Sequence, residues 1–121
     1  MKALFVCFGC LSNTGRLTGI AGMKAIKKVG LDKANIFCLA ALATGGKLVI
    51  DKTKEAEKIV VVDGCPLKCA KRIVENSGFK IGNYINLVED LGFQKGKPLD
   101  YTEEDVEKVT NEILKILGGV K

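Results

Sequence analysis

Apolar residues in this chain follow two rhythms. Leu4 to Phe8 is an unbroken apolar run, the pattern of a strand buried on both faces, and Gly9 with Ser12-Asn13-Thr14-Gly15 ends it. A helix is expected from Thr14 to Val29. Ala21, Gly22, Ala25, Ile26 and Val29 share one side of its wheel, Lys24, Lys27 and Lys28 share the other, and Gly30 supplies the stop. Asn35 to Ala40 and Lys58 to Asp63 read as the second and third strands, both without polar alternation and so both central. Thr44-Gly45-Gly46 is a loop and Lys47 to Glu57 a short helix. Pro66 takes the first position of the next helix, which turns Leu67, Ala70, Ile73 and Val74 inward and ends at Ser77-Gly78. Tyr84 to Val88 is the fourth strand. Thr102-Glu103-Glu104-Asp105 is a capping box that opens the last helix. Val106, Val109, Ile113, Ile116 and Leu117 form its apolar stripe, and Gly118-Gly119 closes it.

Strand-helix alternation of this kind predicts an α/β fold: a three-layer sandwich on a mainly parallel sheet of about four strands, joined by right-handed crossovers. With 121 residues, 47% of them hydrophobic, the chain can build one core, so residues 1–121 read as a single domain. The opening Met1 to Phe8 stops at Ser12-Asn13 and lacks the small-residue cleavage site of a secretory signal. No apolar stretch approaches the ~20 residues of a membrane span, so no membrane partner is expected. The formal charge of +5 is dispersed among acids, and only seven aromatics accompany it, of which Phe5, Phe8 and Phe37 fall in predicted strands. A nucleic-acid surface therefore has little support.

The cysteines change the picture. Cys7, Cys10, Cys38, Cys65 and Cys69 form three clusters, each where a strand-like run ends, and in a parallel sheet the loops leaving neighbouring strands open into a common crevice. The absence of His removes imidazole ligands, Cys/His nucleophilic pairs and the usual general base near neutral pH. An odd number of cysteines without an export signal predicts a reduced, cytoplasmic setting in which clustered thiols serve metal or redox chemistry. Cys7 and Cys10 have Cys-x-x-Cys spacing, with Gly9 available for the turn. Cys65 and Cys69 span a predicted helix start and would lie a turn apart on one face, where the helix terminus favours thiolate by about 0.3–1 kcal/mol. Cys38, alone in an apolar strand, reads either as a small core residue or as a ligand. Asp63 reads as a cap for the following turn or as a support for the thiolate loop, and Gly64 as a residue that permits close approach.

The run Val61-Val62-Asp63-Gly64-Cys65-Pro66-Leu67-Lys68-Cys69-Ala70-Lys71-Arg72 resembles the signature of the DGC-domain proteins, named for their Asp-Gly-Cys motif, to which a zinc site is ascribed. Phe37-Cys38-Leu39-Ala40, the strand ending in Cys7 before Ser12-Asn13-Thr14-Gly15, Gly78-Phe79 and Leu91 to Val106 extend the resemblance over nearly the whole chain. It implies zinc as the cofactor and a metal ion as the partner, held by Cys38, Cys65, Cys69 and one of Cys7 or Cys10, with Asp63 and Gly64 supporting the loop. An iron-sulfur cluster or a thiol-disulfide couple would use the same sulfurs.

Cys10-Leu11-Ser12-Asn13-Thr14-Gly15-Arg16 also satisfies Cys-x5-Arg, and Ala3 to Arg16 resembles low-molecular-weight tyrosine phosphatases and arsenate reductases. Against that reading, Cys7 rather than Cys10 holds the strand-end position, and no Asp-Pro pair supplies a general acid. The sequence assigns no enzyme activity.

Overall fold

The computed structural model describes residues 1–118; Gly119, expected to close the last helix with Gly118, lies outside them. The elements in chain order are β1 (Lys2–Val6), α1 (Asn13–Val29), β2 (Ala34–Ile36), α2 (Leu39–Ala43), α3 (Lys47–Glu55), β3 (Lys58–Asp63), α4 (Cys69–Asn76), β4 (Asn83–Asn86) and α5 (Glu103–Leu117). The strands form one parallel sheet in the order β2-β1-β3-β4.

Strand alternation sorts the core into two layers. Leu4, Val6, Val60 and Val62 face α1 and α5, while Ala3, Phe5, Ile59 and Val61 face Leu42, Ala70 and Val74 of α2 and α4. The strand order explains the split. From β1 the chain crosses outward to β2, and from β2 it must return past β1 to reach β3, so crossovers of one hand put α1 on one face and α2 to α4 on the other.

On α1 every expected core position is buried and all three lysines are exposed. β3 has the predicted limits, and Thr102 and Asp105 form the predicted capping box.

The second strand is shorter than its apolar run suggests and lies at the sheet edge instead of its centre. One more bond, from the Phe37 N–H to the Leu4 carbonyl, extends the pairing. Beyond it, Leu39-Ala-Ala-Leu-Ala43 forms the short helix α2, in keeping with its strong helix formers. Cys38 is therefore the N-cap of a helix, its Sγ accepting the Ala41 N–H at 3.4 Å.

The helix expected from Pro66 begins three residues later, at Cys69, because Gly64 to Lys68 forms a turn that ends with Lys68 in the left-handed region at φ 57°. Leu67, expected inward, is 59% exposed. At the fourth strand the Asn86 Oδ1 accepts the Val88 and Glu89 N–H groups and turns the chain out of the sheet.

Candidate functional site

β1 and β3 are adjacent, but the chain leaves them toward opposite faces of the sheet. Such a reversal opens a crevice at the strands' carboxyl ends. Here it is a cleft of about 590 Å³ lined by Cys7, Cys10, Cys65 and Cys69, together with Leu11, Leu67 and Lys95.

All five cysteines are free thiols; Cys7 and Cys65 are half-buried and Cys10, Cys38 and Cys69 exposed. Cys38 does not line this cleft. It borders a smaller recess of about 210 Å³ with Met1, Phe37, Leu48 and Lys52, as expected for a residue leaving the edge strand. Among the described residues no three Cys, Asp or Glu side chains gather around one point as metal ligands would. The four sulfurs share a wall without converging.

The loop from Cys7 to Ser12 is shaped by backbone contact. Its left-handed residue is Phe8 (φ 44°), not Gly9 as the sequence suggested, and the Phe8 ring seats on Gly19, where a Cβ would collide with it. Ser12 caps α1 by accepting the Gly15 N–H at 3.0 Å. The Gly9 carbonyl packs against Gly15 so closely that Gly15 could carry no Cβ.

The Arg16 Nε donates back to the Cys10 carbonyl at 2.9 Å. The Arg16 side chain is thus engaged with the loop's own backbone, where a phosphatase loop would turn its guanidinium to a bound anion, which argues against the Cys-x5-Arg reading.

Two polar groups point at the sulfurs. The Gly64 N–H donates to the Cys7 Sγ at 3.3 Å, and the Lys95 Nζ lies 3.7 Å from the Cys65 Sγ. The Thr18 hydroxyl donates to the Gly15 carbonyl and accepts the Phe8 N–H, which fixes its orientation 3.7 Å from the Cys7 sulfur.

Lys95 is brought in by Asn13. The Asn13 Nδ2 donates to the carbonyls of Gln94 (3.0 Å) and Asp100 (3.1 Å), its Oδ1 accepts the Gly96 N–H at 2.6 Å, and its own N–H donates to the Gly96 carbonyl. This one buried amide clamps the loop that carries the cation.

Asp63, 1% exposed, accepts the N–H groups of Ala70 (2.8 Å) and Lys71 (3.0 Å) and the Tyr84 hydroxyl (3.0 Å). It is the cap of α4, as its place at a strand end suggested, and it touches no thiol. Gly64 makes the expected close approach, since a Cβ there would meet the Gly15 N at 2.6 Å and the Thr14 carbonyl carbon at 2.7 Å. Between them, these motif residues lock the Cys65 turn to the start of α1 and to α4.

The family model described as "DGC domain" matches residues 3–113. The chain belongs to the DGC-domain family. The DGC domain is also 25% identical to the "Anaerobic and virulence modulator AnvM" of Pseudomonas aeruginosa over 124 aligned positions, covering 98% of this chain and 88% of that protein. No solved structure gives a significant match. Among the described residues no helix is long and apolar enough to cross a membrane.

Several residues that shape the DGC site were not singled out from the sequence: Asn13, Lys95, Tyr84 and Asn86. Asn86 did leave a signal, an amide inside the apolar run Tyr84 to Val88, where burial demands a hydrogen-bonding task. Lys95, in a polar loop, left none.

Tyr84 gives one testable consequence. Burial pushes its hydroxyl above the ordinary tyrosine range; the Asn86 amide donating to its oxygen pulls the other way, and the negative Asp63 adds to the rise. Below about pH 10 folded and unfolded chains both keep this proton, and above it the unfolded chain releases the proton first, so stability falls as pH rises. Comparing urea midpoints at about pH 9 and about pH 11, Tyr84→Phe is expected to show a shallower loss than the parent. An equal loss in both would remove Tyr84 as its source.

Proposed function

We propose that this DGC domain binds a thiophilic metal ion, zinc foremost, through Cys7, Cys10, Cys65 and Cys69, and that it works in a reducing compartment such as the cytoplasm. The observation that supports this most is one cleft lined by four free thiols, with an amide N–H aimed at one sulfur and an ammonium at another. No carboxylate lines that cleft, so the donors suit a soft or borderline ion and not calcium or magnesium.

Because the sulfurs stand apart, binding requires the Cys7–Ser12 loop to close. At the tip of that loop Leu11 is 94% exposed and the Cys10 Sγ makes one long contact, with the Phe8 carbonyl, while Arg16 holds the Cys10 carbonyl. Bound zinc would supply thiolate cross-linking in a four-sulfur site, or Lewis acidity if one sulfur stayed off. The relative's description as an anaerobic modulator accords with a site that needs reduced thiols.

This ligand set exchanges the Cys38 implied by family resemblance for the second cysteine of the first loop, since Cys38 faces a different recess. Elemental analysis of protein purified without oxygen tests it. About one zinc per chain is expected in the parent and in Cys38→Ser, with most of it lost in Cys65→Ser. Loss in Cys38→Ser would restore that residue to the set. Unchanged zinc in Cys65→Ser would eliminate Cys65 as a ligand. Iron with sulfide would point to a cluster on the same thiolates, and no metal with oxidisable thiol pairs would favour a redox couple.

A further inference from the structure

The turn between Cys65 and Cys69 has little to hold it from within. Pro66 and Leu67 are exposed, and Lys68 adopts a left-handed conformation that non-glycine residues seldom take. One bond closes the turn from within, and the rest of what fixes it comes from β3 and β4. The Cys65 carbonyl accepts the Lys68 N–H at 3.2 Å and the Asn86 Nδ2 at 2.9 Å. On the far side of the turn, Asp63 holds the Ala70 and Lys71 N–H groups just after Cys69.

One hydroxyl joins these two anchor points. Tyr84 donates to the Asp63 Oδ2 at 3.0 Å and accepts from the Asn86 Nδ2 at 3.1 Å. Asp63 and Asn86 are direct partners in the β3–β4 register and both are buried, so the link rests on paired strand positions shielded from water.

We infer that Tyr84 and Asn86 are positioning residues which set the spacing of the Cys65 and Cys69 thiols through the backbone on either side of the turn, making them a preorganised two-sulfur grip for soft electrophiles. The bonds named above touch no sulfur. Thiols already held at a set spacing surrender less conformational freedom when both grip one atom, and outer hydrogen-bond partners of this kind are worth roughly 10- to 100-fold in affinity.

Phenylarsine oxide tests the grip without reference to any natural metal. It condenses with two thiols, forming two As–S bonds while the arsenic-bound oxygen leaves as water with both thiol protons. In a full-length chain with Cys7, Cys10 and Cys38 replaced by Ser, Tyr84→Phe removes only the hydroxyl and keeps the ring that lies 5.3 Å from the Lys71 Nζ. Asn86→Asp keeps the acceptor for Val88 and Glu89 but removes the donor to Cys65. Each is expected to weaken arsenical binding roughly tenfold or more. Val109→Ala, a core truncation in α5 on the opposite face, is expected to lower stability and leave binding unchanged.

Parent-like binding in both test variants, or equal weakening in Val109→Ala, would overturn the inference. A second readout, cobalt(II)-thiolate absorption of the all-cysteine protein, rests on the proposed metal site and should weaken in Tyr84→Phe. A parent with no such band would sink the metal reading and leave the arsenical result to decide the positioning role.

Discussion

Gly64→Ala is expected to lower the thermal midpoint by roughly 10 °C, the equivalent of about 3 kcal/mol in a domain of this size. The added Cβ would meet backbone, the Gly15 N at 2.6 Å and the Thr14 carbonyl carbon and oxygen at 2.7 Å, and not the yielding end of a side chain. Relief requires β3 and α1 to part at the cleft, and the Gly64 N–H that donates to Cys7 moves with them. Gly9→Ala is the matched control. Its Cβ would find nothing within 4 Å, so its midpoint should stay within a degree or two of the parent. Thermal unfolding followed by circular dichroism decides it: a Gly64→Ala midpoint as high as that of Gly9→Ala would show that the close approach carries no weight.

Asp63→Ala is expected to cost about 3–4 kcal/mol in urea unfolding, because three donors lose their acceptor together. The Ala70 and Lys71 N–H groups and the Tyr84 hydroxyl all end on this carboxylate, which is 1% exposed, so water cannot readily replace it. Asp63→Asn keeps one acceptor oxygen but turns an NH₂ toward a donor, and about half the loss is expected. Equal stability of Asp63→Ala and the parent would mean that α4 finds another cap. A loss of bound zinc without a loss of stability would instead assign Asp63 to the thiolate loop.

Strands and helices were legible wherever burial is two-sided or one-faced over a long stretch. Lys58 to Asp63 and the wheel of α1 needed only their own residues to declare themselves, and Thr102 with Asp105 announced the start of α5. The run Asn35 to Ala40 misled because an apolar stretch cannot state where its partner ends. β1 gives β2 only three paired positions, and the rest of that run packs as helix. Pro66 misled for a related reason. It is a good first helical residue, but the cap that fixes the start of α4 is Asp63, which reaches the Ala70 and Lys71 N–H groups across the turn.

At the site, the sequence by itself determined that the sulfurs follow strand ends, that no imidazole can join them, and that Asp63-Gly64-Cys65 makes a tight junction, since each of these depends on neighbours along the chain. Tertiary structure alone decided which sulfurs line one cleft. The order β2-β1-β3-β4 sets the reversal point between β1 and β3, so the loops of Cys7, Cys10, Cys65 and Cys69 share a cleft while Cys38 leaves from the edge. It also decided that Asn13, Lys95, Tyr84 and Asn86, spread along the chain, meet around that cleft. Strand order follows from competition for the buried centre of the sheet and from the handedness of its crossovers, long-range terms that no local pattern of residues encodes.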